Sequence, residues 1–238
     1  MKHYAYDKHF KMVDGEGKEY LLTIHHDDDP ESPRTWYNVC TMVCWHRHYD
    51  LGDNHNYDGI EDFFQALCNE VLGKGYDETA ELYWQDMFKM LRESGLILIK
   101  PINMYDHSGI TVSTSNGYPY NDRWDAGCVG FIYVTKERAL TDLGNISEDN
   151  WLERADECLE NEMDVYDSYC RGDVYGFTLE EKVHYRNETT CPHCGEVIKV
   201  DEYDDYEDVD SCWGFYGDCL EENGILDNIS ADLKFKEE

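Results

Sequence analysis

The residues best placed to do chemistry are two cysteines, Cys191 and Cys194, in the pentapeptide Cys191-Pro192-His193-Cys194-Gly195. Two thiolates separated by two residues, with a glycine for the tight turn beneath the metal, have the form of a zinc knuckle. A tetrahedral site needs two more ligands. Cys212 and His184 are the candidates, with Cys219 and His193 as further donors. Such a site would hold one structural zinc, because four protein ligands leave no open position for a reactant. The competing reading is a metal-free turn.

Histidines suggest a second metal chemistry. His25, His26, Asp27, Asp28 and Asp29 form one cluster, and His46, His48 and His55 another. His46 and His48 would share one face of a strand, with Asp106-His107 at a turn that could converge on them. Catalytic metals use these donors, but the spacing matches no fixed metalloenzyme pattern. A Cys128–His107–Asp125 nucleophile triad can be written down, although nothing in the spacing requires it. Cys40, Cys44 and Cys128 lie in apolar runs and read most simply as core. Neither G-x-G-x-x-G nor a Walker motif is present, which disfavours nucleotide chemistry.

Carboxylates carry the remaining signal. In DEYDDYEDVD (Asp201–Asp210) seven of ten residues are acidic: Asp201, Glu202, Asp204, Asp205, Glu207, Asp208 and Asp210. Glu180 and Glu181 precede them. Glu148, Asp149, Glu153, Asp156, Glu157, Glu160, Glu162 and Asp164 follow one another along an expected helix. On a helix or strand such neighbours lie roughly 5–7 Å apart, comparable to successive phosphates of one nucleic-acid strand. Like charges so placed repel and cost stability, so a partner is one reason to keep them. Tyr185, Tyr203 and Tyr206 interleave with the acids and can stack on arginines. Solvation alone is the competing account.

The totals bound these readings. The 238 residues carry 52 acids against 20 Lys and Arg, a formal net charge of −32. That field repels nucleic acid and anionic membrane and attracts basic surfaces. A hydrophobic content of 41% allows a real core. Ten cysteines with one C-x-x-C pair suit a reduced compartment. There is no run of 18 apolar residues and no apolar leader at the N-terminus.

The elements that would position these groups follow from periodicity. Glu19–His26 reads as a strand, and Trp36–Trp45 as a strand or short helix. Helices are expected over Glu61–Leu72 and from an Asp77 cap to Ser94-Gly95. Strands follow at Leu96–Ile102, Ile110–Thr114 and Cys128–Thr135, the first buried on both faces. A long helix capped by Ser147 runs to Arg171-Gly172. An acidic hairpin, Asp173–Gly217, carries the cysteine knuckle, and an amphipathic segment, Cys219–Leu233, closes the chain. The order implies an α+β fold: one domain over 1–238, an antiparallel or mixed sheet with helices on one face, and a hairpin module at 173–217.

Several phrases are distinctive: MVCWHRHYDLGD (Met42–Asp53), YDHSGITVSTS and WDAGCVGFIYVT (Tyr105–Thr135), YCRGDVYGF (Tyr169–Phe177) and SCWGFYG (Ser211–Gly217). The chain resembles, through these, a functionally uncharacterised family of acidic proteins encoded by bacteriophages and other mobile elements. A variable acidic hairpin tip precedes the SCWGFYG strand in that family as well. The resemblance implies a phage-derived protein of the bacterial cytoplasm and transfers no catalytic residue.

The expectation is therefore a non-enzymatic anti-defence inhibitor. Its acidic residues (Glu180, Glu181, Asp201, Glu202, Tyr203, Asp204, Asp205, Tyr206, Glu207, Asp208, Glu153, Asp156, Glu157 and Glu160) would occupy the basic groove of a restriction or CRISPR effector. The alternatives are a small metal- or Cys/His-dependent phage hydrolase, or a zinc-stabilised adaptor for a host protein.

Overall fold

The computed structural model describes residues 2–107, 109–114 and 126–236. The fold is α+β, with two antiparallel sheets. Where the sequence suggests one domain with a hairpin module, the chain divides into two compact units. One joins the first 31 residues to Gly172–Glu238, and the other spans Ser32–Arg171.

The first unit is a five-stranded sheet. Strands β1 (His9–Val13) and β2 (Glu19–His26) form a hairpin. β2 pairs with β7 (Val174–Thr190), β7 with β8 (Val197–Tyr216), and β1 with the two-residue β9 (Lys234–Phe235). One face buries Phe10, Met12, Leu22, Ile24, Phe177, Leu179 and Phe215. Residues Cys219–Leu233 cover that core as a series of turns, with Leu220 and Ile225 fully buried.

Strand β7 outruns its neighbour. Its pairing with β2 ends at Glu181, while its pairing with β8 continues to Thr190. Beyond Glu181 the two strands form a lone ribbon, extending about 30 Å at 3.3 Å per residue. Strand β8 is exposed at every position from Val197 to Ser211. The long hairpin expected from sequence is thus a bare arm on a sheet.

The second unit holds a four-stranded sheet in the order β3-β6-β4-β5: β3 Thr41–Cys44, β6 Ala126–Thr135, β4 Ile97–Asp106 and β5 Ile110–Ser113. Helices cover both of its faces, not one. Met42, Ile102, Ile132 and Val134 pack with α4 (Lys136–Asp142) and α5 (Trp151–Arg171). Val43, Ile97, Phe131 and Tyr133 pack on the other side with α1 (Ile60–Leu72) and α3 (Trp84–Glu93). The reason is legible in β6, whose six consecutive residues Val129–Val134 are all buried, as in a strand sandwiched between layers. Strand β4, expected to be the doubly buried one, alternates buried with half-buried positions.

Other boundaries differ for local reasons. The helix expected to begin at Asp77 is broken into α2 (Tyr76–Thr79) and α3 by a turn in which the Leu82 N–H donates to the Thr79 carbonyl at 2.9 Å. Ser147 does not cap α5. Its N–H and hydroxyl both donate to Asn150 Oδ1, and the Asn150 carbonyl accepts from Arg154 at the helix start. The apolar run before Trp45 contains only β3.

Candidate interaction surface on the acidic ribbon

Directly paired residues of an antiparallel ribbon point to the same face. One face of the arm therefore carries Glu181, Val183, Tyr185 and Asn187 from β7 opposite Glu207, Asp205, Tyr203 and Asp201 from β8. The other carries Glu180, Lys182, His184 and Arg186 opposite Asp208, Tyr206, Asp204 and Glu202. Every cation of β7 beyond Glu181 lies on this second face.

Ion pairs engage two acids on each face. On the second face Asp204 binds His184 at 2.8 Å and Lys182 at 2.9 Å. These two hydrogen bonds hold its carboxyl below the usual range. Glu202 lies 3.5 Å from Arg186. On the first face Asp201 pairs with Lys199 at 2.6 Å, and Glu181 with Lys18 at 3.0 Å. Asp205 makes no ion pair among the described residues. Glu207 accepts the Tyr185 hydroxyl, a bond that pushes the phenol up to about 12. Asp205 and Glu207 are alternate residues of one strand, about 6.6 Å apart along it, beside the stacked Tyr185 and Tyr203 rings.

The acids of α5 fare differently. Asp156 and Glu160 both bind Lys100, and Glu160 also accepts the Thr114 hydroxyl at 2.7 Å. Glu157 pairs with Arg154. Glu162 is not a surface acid: Oε1 accepts the Val39 and Cys40 N–H groups and Oε2 the Arg34 guanidinium. Burial, with Glu160 nearby, raises Asp164. Of the helix residues expected to meet a partner, only Glu153 makes no ion pair among the described residues. The stripe that buries one side of α5 also turns several of its acids toward basic groups.

The knuckle sits at the ribbon's apex. The Cys191 N–H donates to the Glu196 carbonyl at 2.7 Å, and Gly195, at φ 75°, donates to the Cys191 carbonyl at 2.9 Å. The Cys191 thiol is held below its usual range by the backbone N–H groups of His193 and Cys194 and by the Cys194 side chain. The expected partners are elsewhere. His184 is seven residues down β7, about 23 Å away, and Cys212 pairs beside Phe177, about 46 Å away. A four-ligand site from Cys191, Cys194, Cys212 and His184 is therefore ruled out by strand register.

The remaining clusters form no metal-holding group among the described residues, although Tyr49, stacked on His46, donates its hydroxyl to Asp106 at 3.1 Å. His25 binds Thr178 Oγ1 at 3.0 Å and His26 packs on Tyr175. His46 and His48 lie beyond the end of β3 and not on a strand face, and His55 bonds the Cys44 carbonyl. Cys40 and Cys44 are buried as expected, but Cys128 is exposed. Asp125 lies outside the described residues.

Sequence reasoning missed one cluster. Arg34, 4% exposed in its side chain, donates to Asp53 at 2.8 and 2.9 Å, to Glu162 at 3.0 Å and to the Cys40 carbonyl at 2.8 Å. Burial opposes its charge, and the hydrogen bonds and fields of Asp53 and Glu162 outweigh burial. Ligand atoms of Cys40, Cys158 and Glu162 lie within 4.8 Å of one another. Both Glu162 oxygens are already engaged, and a guanidinium sits beside them. The group reads as a satisfied internal network. The adjoining cleft, about 620 Å³, is lined by Arg34, Tyr37, Asp50, Asp53, Arg138 and Tyr166. Both of its arginines are committed, Arg138 to Thr41, the Asn38 carbonyl and Asp142.

No helix among the described residues is long and apolar enough to cross a membrane. Comparison with known proteins finds no matching family model, no matching curated protein and no matching solved structure.

Proposed function

We propose that the chain is a non-enzymatic inhibitor that lays its acidic ribbon in the basic nucleic-acid groove of a bacterial restriction or CRISPR effector. The observation that carries this reading is the partition of the arm. One face holds Asp205 and Glu207, neither in an ion pair among the described residues, beside two stacked tyrosines, and the β7 residues between Glu181 and Asn187 on that face, Val183 and Tyr185, are uncharged. A strand presents alternate carboxylates at about 6.6 Å on a narrow, two-sided arm, a form that enters a groove. Guanidinium groups that would hold phosphates would instead hold carboxylates, with the tyrosines as stacking surfaces. The resemblance to acidic phage-encoded proteins directs the proposal to bacterial defence.

The test is a competition. The full chain captures its partner from bacterial lysate at low salt, and the retained protein is titrated with duplex DNA or guide RNA. Displacement, with affinity falling steeply toward 0.5 M salt, where the Debye length is about 4 Å, supports the mechanism. D205N/E207Q on the bare face should weaken binding far more than E202Q/D204N on the cation-bearing face. Salt-independent binding, or simultaneous binding of nucleic acid, overturns it.

A further inference from the structure

The tip of the ribbon differs chemically from its stem. Asp201–Asp210 carries seven acids and no base, whereas between Arg186 and Val200 the acids Glu188 and Glu196 are matched by Arg186 and Lys199. The tip is also apolar. Val197, Ile198 and Val200 are 48%, 64% and 40% exposed, side by side on an arm with no core beneath them. A solvated strand would keep such positions polar. Neutrality and apolar surface meet at the point where the two thiols stand.

Those thiols stand on one tight turn and are short of ligands. The turn that carries them is closed by its own backbone, with the Cys191 N–H on the Glu196 carbonyl at 2.7 Å and the Gly195 N–H on the Cys191 carbonyl at 2.9 Å. Zinc takes four ligands in its structural sites. Among the described residues these thiols belong to no group of three mutually close His, Cys, Asp or Glu ligand atoms, although Glu196 Oε2 lies 3.8 Å from the Cys194 sulfur. The register places Cys212 and His184 far down the arm.

We propose that the Cys191/Cys194 knuckle binds zinc together with the same knuckle of a second copy of this chain, forming a four-thiolate centre that joins two ribbons tip to tip. A twofold axis through the metal supplies two matched pairs from one surface, which is the usual geometry of a self-association. Each of the four thiols gives up its proton on binding, so one Zn²⁺ releases four protons and leaves a centre of charge −2. The neutral tips meet without the repulsion the stems would suffer, and Val197, Ile198 and Val200 of each copy cover one another. The proposal is independent of what the acidic stem binds.

The full-length chain, reduced and freed of metal, is titrated with Zn²⁺ alone while bound metal and molar mass are measured. Half an equivalent of zinc per chain and a doubling of the 27.9 kDa mass, both reversed by chelator, are expected. C191S/C194S should stay monomeric and metal-free with an unchanged circular dichroism spectrum, since the tip supports no core. H193A should keep the stoichiometry, and Co²⁺ in place of Zn²⁺ should give the visible bands of a tetrahedral thiolate site. I198D should raise the dimer dissociation constant at least tenfold with the metal ratio in the dimer unchanged. One zinc per monomer, loss of metal in H193A, or no zinc uptake under reducing conditions overturns the proposal.

Discussion

Tyr185 and Tyr203 stand directly opposite each other across the ribbon, their ring centroids 5.3 Å apart and their planes 17° from parallel. Two-stranded ribbons are marginal in water unless side chains cover the backbone, and this pair stacks across the two strands of the arm. Tyr203→Ala should speed amide exchange of residues 183–186 and 202–205 roughly three- to tenfold. Exchange at Phe177 and Leu179, which lie over the core, should not change. Hydrogen exchange read by mass spectrometry checks this, and an equal effect on both regions would show that the arm does not open on its own.

At the base of the arm the fit is much tighter. Trp213 lies across Gly176, and a Cβ placed there would come within 2.2 Å of the indole ring. Gly176→Ala should cost about 1–3 kcal/mol by forcing the ring away and shift the tryptophan emission maximum. Urea unfolding followed by fluorescence measures both. An alanine variant with native emission and native midpoint would mean that the indole does not rest on this glycine.

That contact explains which parts of the chain were legible. The phrases DVYGF and SCWGF are the two halves of one packed junction, and the Glu19–His26 strand between its neighbours was readable because its alternation is buried on one side. β1 was missed. Its five residues HFKMV are too short for a period to stand out, and they are fixed by pairing with β2. The hairpin was visible in outline, but its consequence for zinc was not. Cys212 is a candidate ligand as one of the nearest thiols in sequence, whereas a long ribbon carries it tens of ångströms from the tip. Glu162 shows the converse failure. In sequence it is one acid in a row of eight, and only the fold brings it under Arg34.

Arg34 ties a turn of 3₁₀ helix (Pro33–Thr35), the loop after β3 and helix α5 through Asp53 and Glu162. Removing one partner of such a group leaves buried carboxylates without compensation. Arg34→Met should destabilise the chain by about 3–5 kcal/mol, read as a shift in urea midpoint. Arg34→Lys should recover only part, because one ammonium cannot serve both carboxylates and the Cys40 carbonyl in a fork. Full stability in the lysine variant would show that charge alone, not geometry, holds the three elements together.

The pH response of the first unit is written in Glu221. Burial works against its ionisation, but the His3 backbone N–H and ring, its own backbone and Cys219 outweigh that and bring it from 4.5 to about 2. A carboxyl whose folded pKa lies below its unfolded value contributes stability above the unfolded value and loses it as pH falls toward the folded one. The N-terminal segment, clamped to residues 218–222 through Ala5 N–H to the Asp218 carbonyl and Leu220 N–H to the His3 carbonyl, should therefore loosen between pH 4.5 and 2. Discounted for partial solvent exposure, the loss is on the order of 1–2 kcal/mol. Glu221→Gln should remove this component, so the variant is less stable at pH 7 and its stability falls less steeply below pH 4.5. Urea midpoints measured at intervals from pH 7 to pH 2 separate the cases: parallel profiles for variant and parent would remove Glu221 as the titrating clamp.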